Sequence, residues 1–199
     1  PVDACEQLSA MAREGKVGSL VLATSAYAGS EEQQTAGREQ YDAIQRCAVE
    51  DSRLGIPLIY GRDVVHGHRT VFPIPLGQAA SSDPDLVMEA ASVAAQEASA
   101  AGIHWTFAPM VDIGRDPRWG RVAEGFGEDP YLASVMSEAC VRGFQGDDPS
   151  APGKVMACLK HFLGYGAAEG GRDYNTTEIS DNTLRNVYLP PFEAGIKAG

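Results

Sequence analysis

Residues 103–131 read IHWTFAPMVDIGRDPRWGRVAEGFGEDPY, and this stretch decides the fold. Its first six residues, Ile103 to Ala108, form a short apolar run of the kind that builds a buried strand. Its last three bring Asp129 and Pro130 together, a helix start with a capping carboxylate and a proline that needs no N–H. Between them, the mixture of acids, arginines, glycines and prolines from Arg115 onward suits neither a helix interior nor a strand. Loops of this length inside compact domains are usually functional or disordered, and disordered segments rarely carry residues such as Trp119, Phe126 and Tyr131. An ordered loop that sets charges beside aromatic surface is predicted, and that combination suits a ligand rich in hydroxyls.

The same strand–loop–helix unit recurs on either side. Gly18 to Ser25 and Ile56 to Gly61 read as strands buried on both faces, and Lys154 to Leu159 as a fourth strand. A helix is predicted from about Ser30, with Ser30 and Gln33 as a capping box and Ala36, Tyr41, Ile44 and Ala48 as its apolar stripe. Ser82, Asp83 and Pro84 announce a helix that runs to Gly102, with Val87, Ala90, Ala94, Ala98 and Ala101 on one face. The helix opened by Asp129 turns Leu132, Val135, Met136 and Ala139 inward and ends near Gly143 to Gly146. Residues 147–153 form a turn-rich connector. A last helix starts at Ser180 and is expected to be broken by Pro190 and Pro191.

Repeated strand–helix units favour a parallel sheet covered by helices, an α/β fold whose chemistry gathers beyond the C-terminal ends of the strands. Each charge-dense segment falls there: 61–68 after the second strand, 109–129 after the third and 160–177 after the fourth. Only about four such units fit into the 199 residues, against the eight of a closed barrel. A small open sheet and the first half of a barrel both satisfy this count.

The chain carries a formal charge of −11, which argues against nucleic acid or anionic membrane as a partner. No apolar run approaches the roughly 20 residues needed to span a bilayer. Pro1 begins the chain without a basic n-region or apolar h-region, so no signal peptide is expected in it. The cysteines at 5, 47, 140 and 158 are far apart and form no CxxC pair; buried, inert thiols are expected rather than a zinc site. His66 and His68 lack a third ligand at suitable spacing, so no metal is expected, and no cofactor either. The glycine-rich run 164–171 lacks GxxxxGK[ST] and GxGxxG, which discounts nucleotide binding.

Four side chains at these strand ends are candidates for gripping hydroxyls. Asp63 can accept two hydrogen bonds from adjacent hydroxyls, though a helix cap or an arginine partner also accounts for it. Of the three arginines in 115–121, Arg115 and Arg118 are expected in internal ion pairs and Arg121 is expected to face the ligand. Lys160 and His161 follow directly on an apolar strand. Trp119 is read first as a packed anchor of its loop and second as a stacking platform for a sugar ring.

GRDVVHG (61–67), TVFPIPLGQAASSD (70–83), FAPMVDIGRDPRWGRVAEGFGEDPYL (107–132) and KHFLGYGAAEGGRDYN (160–175) together resemble the N-terminal barrel domain of family 3 glycoside hydrolases, most closely bacterial β-glucosidases of the periplasmic type. The resemblance runs from about Gly15 to Gly199, with four long motifs in order. It implies the N-terminal half of a TIM-like (β/α)8 barrel, incomplete here, with the rest of the barrel and a C-terminal α/β sandwich domain outside this chain. It implies a retaining, exo-acting enzyme on β-glucosides or oligosaccharides, periplasmic or secreted, with homo-oligomerisation left open.

The resemblance also assigns roles. Asp63, Arg121, Lys160 and His161 match the family's hydroxyl-binding residues for the terminal sugar, and Glu124 matches an acid that supports the basic cluster. The family's nucleophile lies in a Ser-Asp-Trp or Ser-Asp-His motif downstream of the KHF segment, and its acid/base Glu comes from a second domain. Neither occurs here, so no catalytic carboxylate is assigned, and Asp112, Asp116 and Glu128 are not promoted to that role; the chain alone is expected to be inactive. KHFLGYG, in place of a KHFPGHG-type segment followed by Asp-Ser-His, favours glucosidase or xylosidase over hexosaminidase chemistry. The competing readings are a non-catalytic carbohydrate-binding half barrel and, more weakly, an open-sheet enzyme acting on phosphorylated ligands.

Overall fold

A computed structural model describes residues 4–22 and 31–199 of the chain. Its elements alternate as the sequence implies. α1 (Ala4–Arg13) leads into β1 (Ser19–Val21), then α2 (Glu31–Val49), β2 (Ile59–Arg62), α3 (Pro75–Ala79), α4 (Pro84–Ala100), β3 (Trp105–Thr106) and α5 (Pro130–Gln145). The strands form one parallel sheet in the order β1-β2-β3, with no reversal. Residues 154–160 run beside β3 through single bridges, Trp105 to Met156 and Met110 to Lys160. The expected fourth strand is therefore present as an extended segment in the right place, without a continuous ladder.

Two layers of apolar packing hold the helices to the sheet. Ala12 of α1 and Ile44, Cys47 and Ala48 of α2 enclose Leu58 and Tyr60, and the Tyr60 hydroxyl donates to the Tyr41 carbonyl at 2.8 Å. A larger cluster joins α4 and α5 through Val87, Ala91, Ala94, Ala98, Met136, Ala139 and Cys140. These two helices cross closely because Gly143 has no side chain: a Cβ there would stand 2.4 Å from the Met88 carbonyl oxygen. The predicted helix starts are realised. Asp83 accepts from the backbone N–H groups of Asp85 and Leu86, and Asp129 accepts from that of Leu132. Gly146 closes α5 at φ +61°, a conformation that suits glycine.

The structure corrects two expectations and extends a third. The first two strands are not buried on both faces. Leu58 and Tyr60 are enclosed, but Val21 is 67% exposed and Ile56 and Ile59 are exposed as well. Helices cover one face of the sheet among the described residues, so the alternate side chains of β1 and β2 meet solvent. The helical run that starts at Ser180 stops before Pro190, as expected, but a new helix begins on the two prolines themselves. After a short turn, α6 (Asp181–Thr183), capped by Ser180, the chain passes through one wide π-turn at Leu184–Tyr188 and enters α7 (Pro190–Ala198). The prolines occupy its first turn, where an N–H would have no intrahelical partner. Third, Arg115 makes no ion pair among the described residues, whereas Arg118 pairs with Asp116 at 2.6 Å as expected. Ser30, and with it the capping pair expected with Gln33, lies outside the described residues, as do residues 23–25.

Cys47 and Cys140 are buried free thiols and Cys158 is half-buried; enclosure pushes the Cys140 thiol up to about 12. No helix among the described residues is long and apolar enough to cross a membrane.

Candidate functional site

The loop after β3 is built inward before it is built outward. Met110, Val111 and Ile113 are buried beneath it. At its tip the Asp116 carboxylate accepts from the backbone N–H of Arg118 at 2.9 Å, an Asx-type turn. That turn drives Trp119 into the interior, where it is 1% exposed and its indole N–H donates to Asp173 at 2.9 Å. Trp119 is thus an anchor. It ties this loop to the glycine-rich loop after the fourth extended segment, and Gly166 permits the contact: a Cβ there would lie 2.1 Å from the Ile113 carbonyl oxygen.

The anchored loop then makes a single 3-10 turn, Gly120–Glu124. At this pitch residues three apart stack on one side, so Arg121 and Glu124 face each other. The guanidinium donates through Nε at 2.6 Å and Nη2 at 2.8 Å to the two carboxylate oxygens, a bidentate pair. The Arg121 guanidinium also stands 5.4 Å over the Tyr165 ring, and its Nη1 lies 3.4 Å from His161 Nε2. Its ionisation is pushed further up, first by the bond to Glu124.

The other strand ends converge on the same place. Asp63 directly follows β2 and Lys160 ends the segment beside β3, and the Lys160 ammonium donates to Asp63 at 2.7 Å. The lysine is mostly covered, at 14% exposure, while the Asp63 side chain is 62% exposed. His161 stacks edge-on against Tyr165 at 4.8 Å. All five residues singled out in the sequence therefore sit in one cluster, with three cationic or donor groups, one open carboxylate and one spent carboxylate. Glu124 is held below the ordinary carboxylate range by its bonds to Arg121, with the charges of Arg121, Lys160 and His161 adding to the effect.

That depression has a testable sign. A carboxylate whose folded value is lowered stabilises the fold above its unfolded value, here near 4.5, and loses that contribution as the pH falls through the folded value. In the complete protein, the melting temperature should fall more steeply below pH ~4.5 for wild type than for Glu124→Gln. Parallel slopes would contradict the pairing.

Sequence reasoning gave no role to three members of the network. Asp112 is buried beneath His161, Tyr165 bridges Arg121 and His161 with its ring, and Asp173 receives both the Trp119 indole and the Tyr165 hydroxyl. Asp112 had a signal, an acid inside the apolar run MVDI (110–113), which demands a buried partner. Nothing in the spacing marks Tyr165. His66 is spent on the Phe72 carbonyl at 3.0 Å, and among the described residues no group of three or more His, Cys, Asp or Glu side chains is placed to hold a metal ion.

The sequence profile of the glycosyl hydrolase family 3 N-terminal domain matches residues 2–199. The chain belongs to glycosyl hydrolase family 3. It is 45% identical to a periplasmic beta-glucosidase of Salmonella typhimurium over 98% of its length, which is 24% of that protein. A beta-xylosidase of Formosa agariphila is 38% identical over 80% of the chain and 24% of its own length. Among solved structures, a beta-glucosidase from Listeria innocua in complex with glucose superposes with a TM-score of 0.79 at 48% identity, covering 82% of the chain and 23% of that structure. An exo-1,3/1,4-beta-glucanase from a Pseudoalteromonas species reaches 0.87 at 32% identity, covering 96% and 25%. This family 3 chain thus spans about a quarter of the length of these relatives.

Proposed function

We propose that this chain is the sugar-gripping part of a retaining, exo-acting β-glucosidase that removes terminal, non-reducing β-D-glucosyl residues. The observation that carries the proposal is the meeting of Asp63, Arg121, Lys160 and His161 in one cluster, although 97 residues of chain separate Asp63 from Lys160. A pyranose presents a ring of hydroxyls that both donate and accept. Asp63 supplies charged acceptors, Lys160 and Arg121 charged donors, and Glu124 keeps the guanidinium fork fixed without itself facing the sugar. Each charged hydrogen bond of this kind contributes about 1.5–3 kcal/mol.

The segment binds and orients; the bond-breaking carboxylates come from elsewhere. Retention needs a nucleophilic carboxylate and an acid/base carboxylate about 5–5.5 Å apart. We place both on polypeptide outside residues 1–199, the nucleophile in the remainder of a (β/α)8 barrel and the acid/base in a C-terminal domain. Two features support the half-barrel reading. Strand order runs β1-β2-β3 without a switch point, as successive barrel strands do, and the exposed apolar side chains of β1 and β2 form a sheet face suited to further covering. A periplasmic or secreted location is supported by the kinship with the Salmonella enzyme.

A β-xylosidase is the second reading, supported by the Formosa relative. The two sugars differ by the hydroxymethyl group at C5, so a panel of 4-nitrophenyl β-D-glucopyranoside and β-D-xylopyranoside on the complete protein separates them. The expected result is a kcat/KM for the glucoside at least about tenfold higher, the scale of one well-placed polar contact. Preference for the xyloside would overturn the glucosidase assignment, and turnover of neither would overturn both.

A further inference from the structure

We propose that Asp112 is the positioning residue of His161, holding the imidazole proton on Nδ1 so that Nε2 faces the sugar site as a hydrogen-bond acceptor. The inference rests on the sugar-gripping reading of the cluster and assigns a role to a residue outside it. One oxygen of Asp112, Oδ2, accepts from both the backbone N–H and the ring Nδ1 of His161, each at 2.8 Å. Two bonds from one residue to one atom fix where its backbone sits and how its ring turns. The Asp112 side chain is 1% exposed and that of His161 35%, so the ring has a buried end and an open end.

The open end is constrained too. Arg121 Nη1 lies 3.4 Å from Nε2, and a guanidinium can only donate. A neutral imidazole satisfies both neighbours in one way, with its hydrogen on Nδ1 and its lone pair on Nε2. The pocket of Asp112 supports a dedicated role. Its second oxygen, Oδ1, is buried with no hydrogen-bond partner among the described residues, and enclosure pushes the carboxyl above its ordinary range. A carboxylate enclosed with one oxygen unused is a poor stabiliser of a fold. What it does supply is the orientation of His161. Lys160 and Arg121 offer the sugar only donors; a sugar hydroxyl that replaces the long 3.4 Å contact between Arg121 Nη1 and Nε2 would accept from Arg121 while donating to the Nε2 lone pair of His161.

The test uses the complete protein. Asp112→Leu keeps the branched outline of the side chain but is bulkier and removes the acceptor, whereas Asp112→Asn keeps the size and can keep an oxygen toward His161. Asp112→Leu should lower kcat/KM for 4-nitrophenyl β-D-glucopyranoside by about thirtyfold, and Asp112→Asn by less than about fivefold. In a His161→Ala background, Asp112→Leu should add less than about a twofold further loss, because its effect passes through the ring. With 15N-histidine labelling, and the His161 signals assigned by their absence from His161→Ala, wild type and Asp112→Asn should carry the proton on Nδ1 and Asp112→Leu should not.

An unchanged tautomer in Asp112→Leu overturns the proposal, as does an equal loss in the His161→Ala background. If Asp112→Leu does not fold, a wild-type spectrum with the proton on Nε2 overturns it without any variant. Should wild type hydrolyse no glycoside, the sugar reading fails, and the tautomer measurement still decides the role of Asp112.

Discussion

Arg121→Leu in the complete protein should lower kcat/KM for an aryl β-glucoside by at least about a hundredfold. The guanidinium binds Glu124 with two bonds, at 2.6 and 2.8 Å, stands over Tyr165 and approaches His161. Its loss removes donors to the sugar and leaves the half-covered Glu124 carboxylate without its partner, now pointing negative charge at Lys160 and His161. Removing charged hydrogen bonds worth about 1.5–3 kcal/mol each, two or more at once, gives about 3 kcal/mol or more. Arg121→Lys should recover only part of the loss, because an ammonium cannot reproduce the planar fork. Activity of Arg121→Leu within about threefold of wild type, in a protein that melts normally, would contradict the role.

Asp63→Ala should cost over tenfold in kcat/KM with little change in stability. The two effects separate because of exposure. The Asp63 side chain is 62% exposed although its partner Lys160 is only 14%, and a pair with one side open to solvent contributes about 1 kcal/mol to folding. As a sugar acceptor the same carboxylate is expected to contribute about 2 kcal/mol, a factor above ten in rate. The measurement is kcat/KM for an aryl β-glucoside alongside a thermal melt. A loss within about twofold would show that Asp63 does no more than pair with Lys160. A large loss of melting temperature would show that its role is structural.

The sequence was informative where chemistry is local and less so where it depends on what covers a surface. Asp83-Pro84 and Asp129-Pro130 announced two helices because capping is written in adjacent residues. The convergence of Asp63, Arg121, Lys160 and His161 was legible because each follows a strand, and parallel strands deliver their C-terminal ends to one edge. The burial of β1 and β2 was misread because a run such as LVLA looks the same whether one face or both are covered; Val21 and Ile59 turned out exposed. The stop before Pro190 was legible, but the helix that starts on Pro190 and Pro191 was not, because a proline at the start of a helix and one in its interior look alike until the preceding turn is known. The roles of Asp112, Tyr165 and Asp173 were not legible because they act on other side chains, across 49 residues for Asp112 and His161 and 54 for Trp119 and Asp173.

A crystal structure of the complete protein with glucose bound tests the shared grip of these residues most directly. The expected result is a pyranose whose hydroxyl oxygens lie within about 3 Å of Asp63 carboxylate, Arg121 guanidinium, Lys160 ammonium and His161 Nε2 atoms. A glucose seated elsewhere, or held with none of these four within hydrogen-bonding distance, would contradict it.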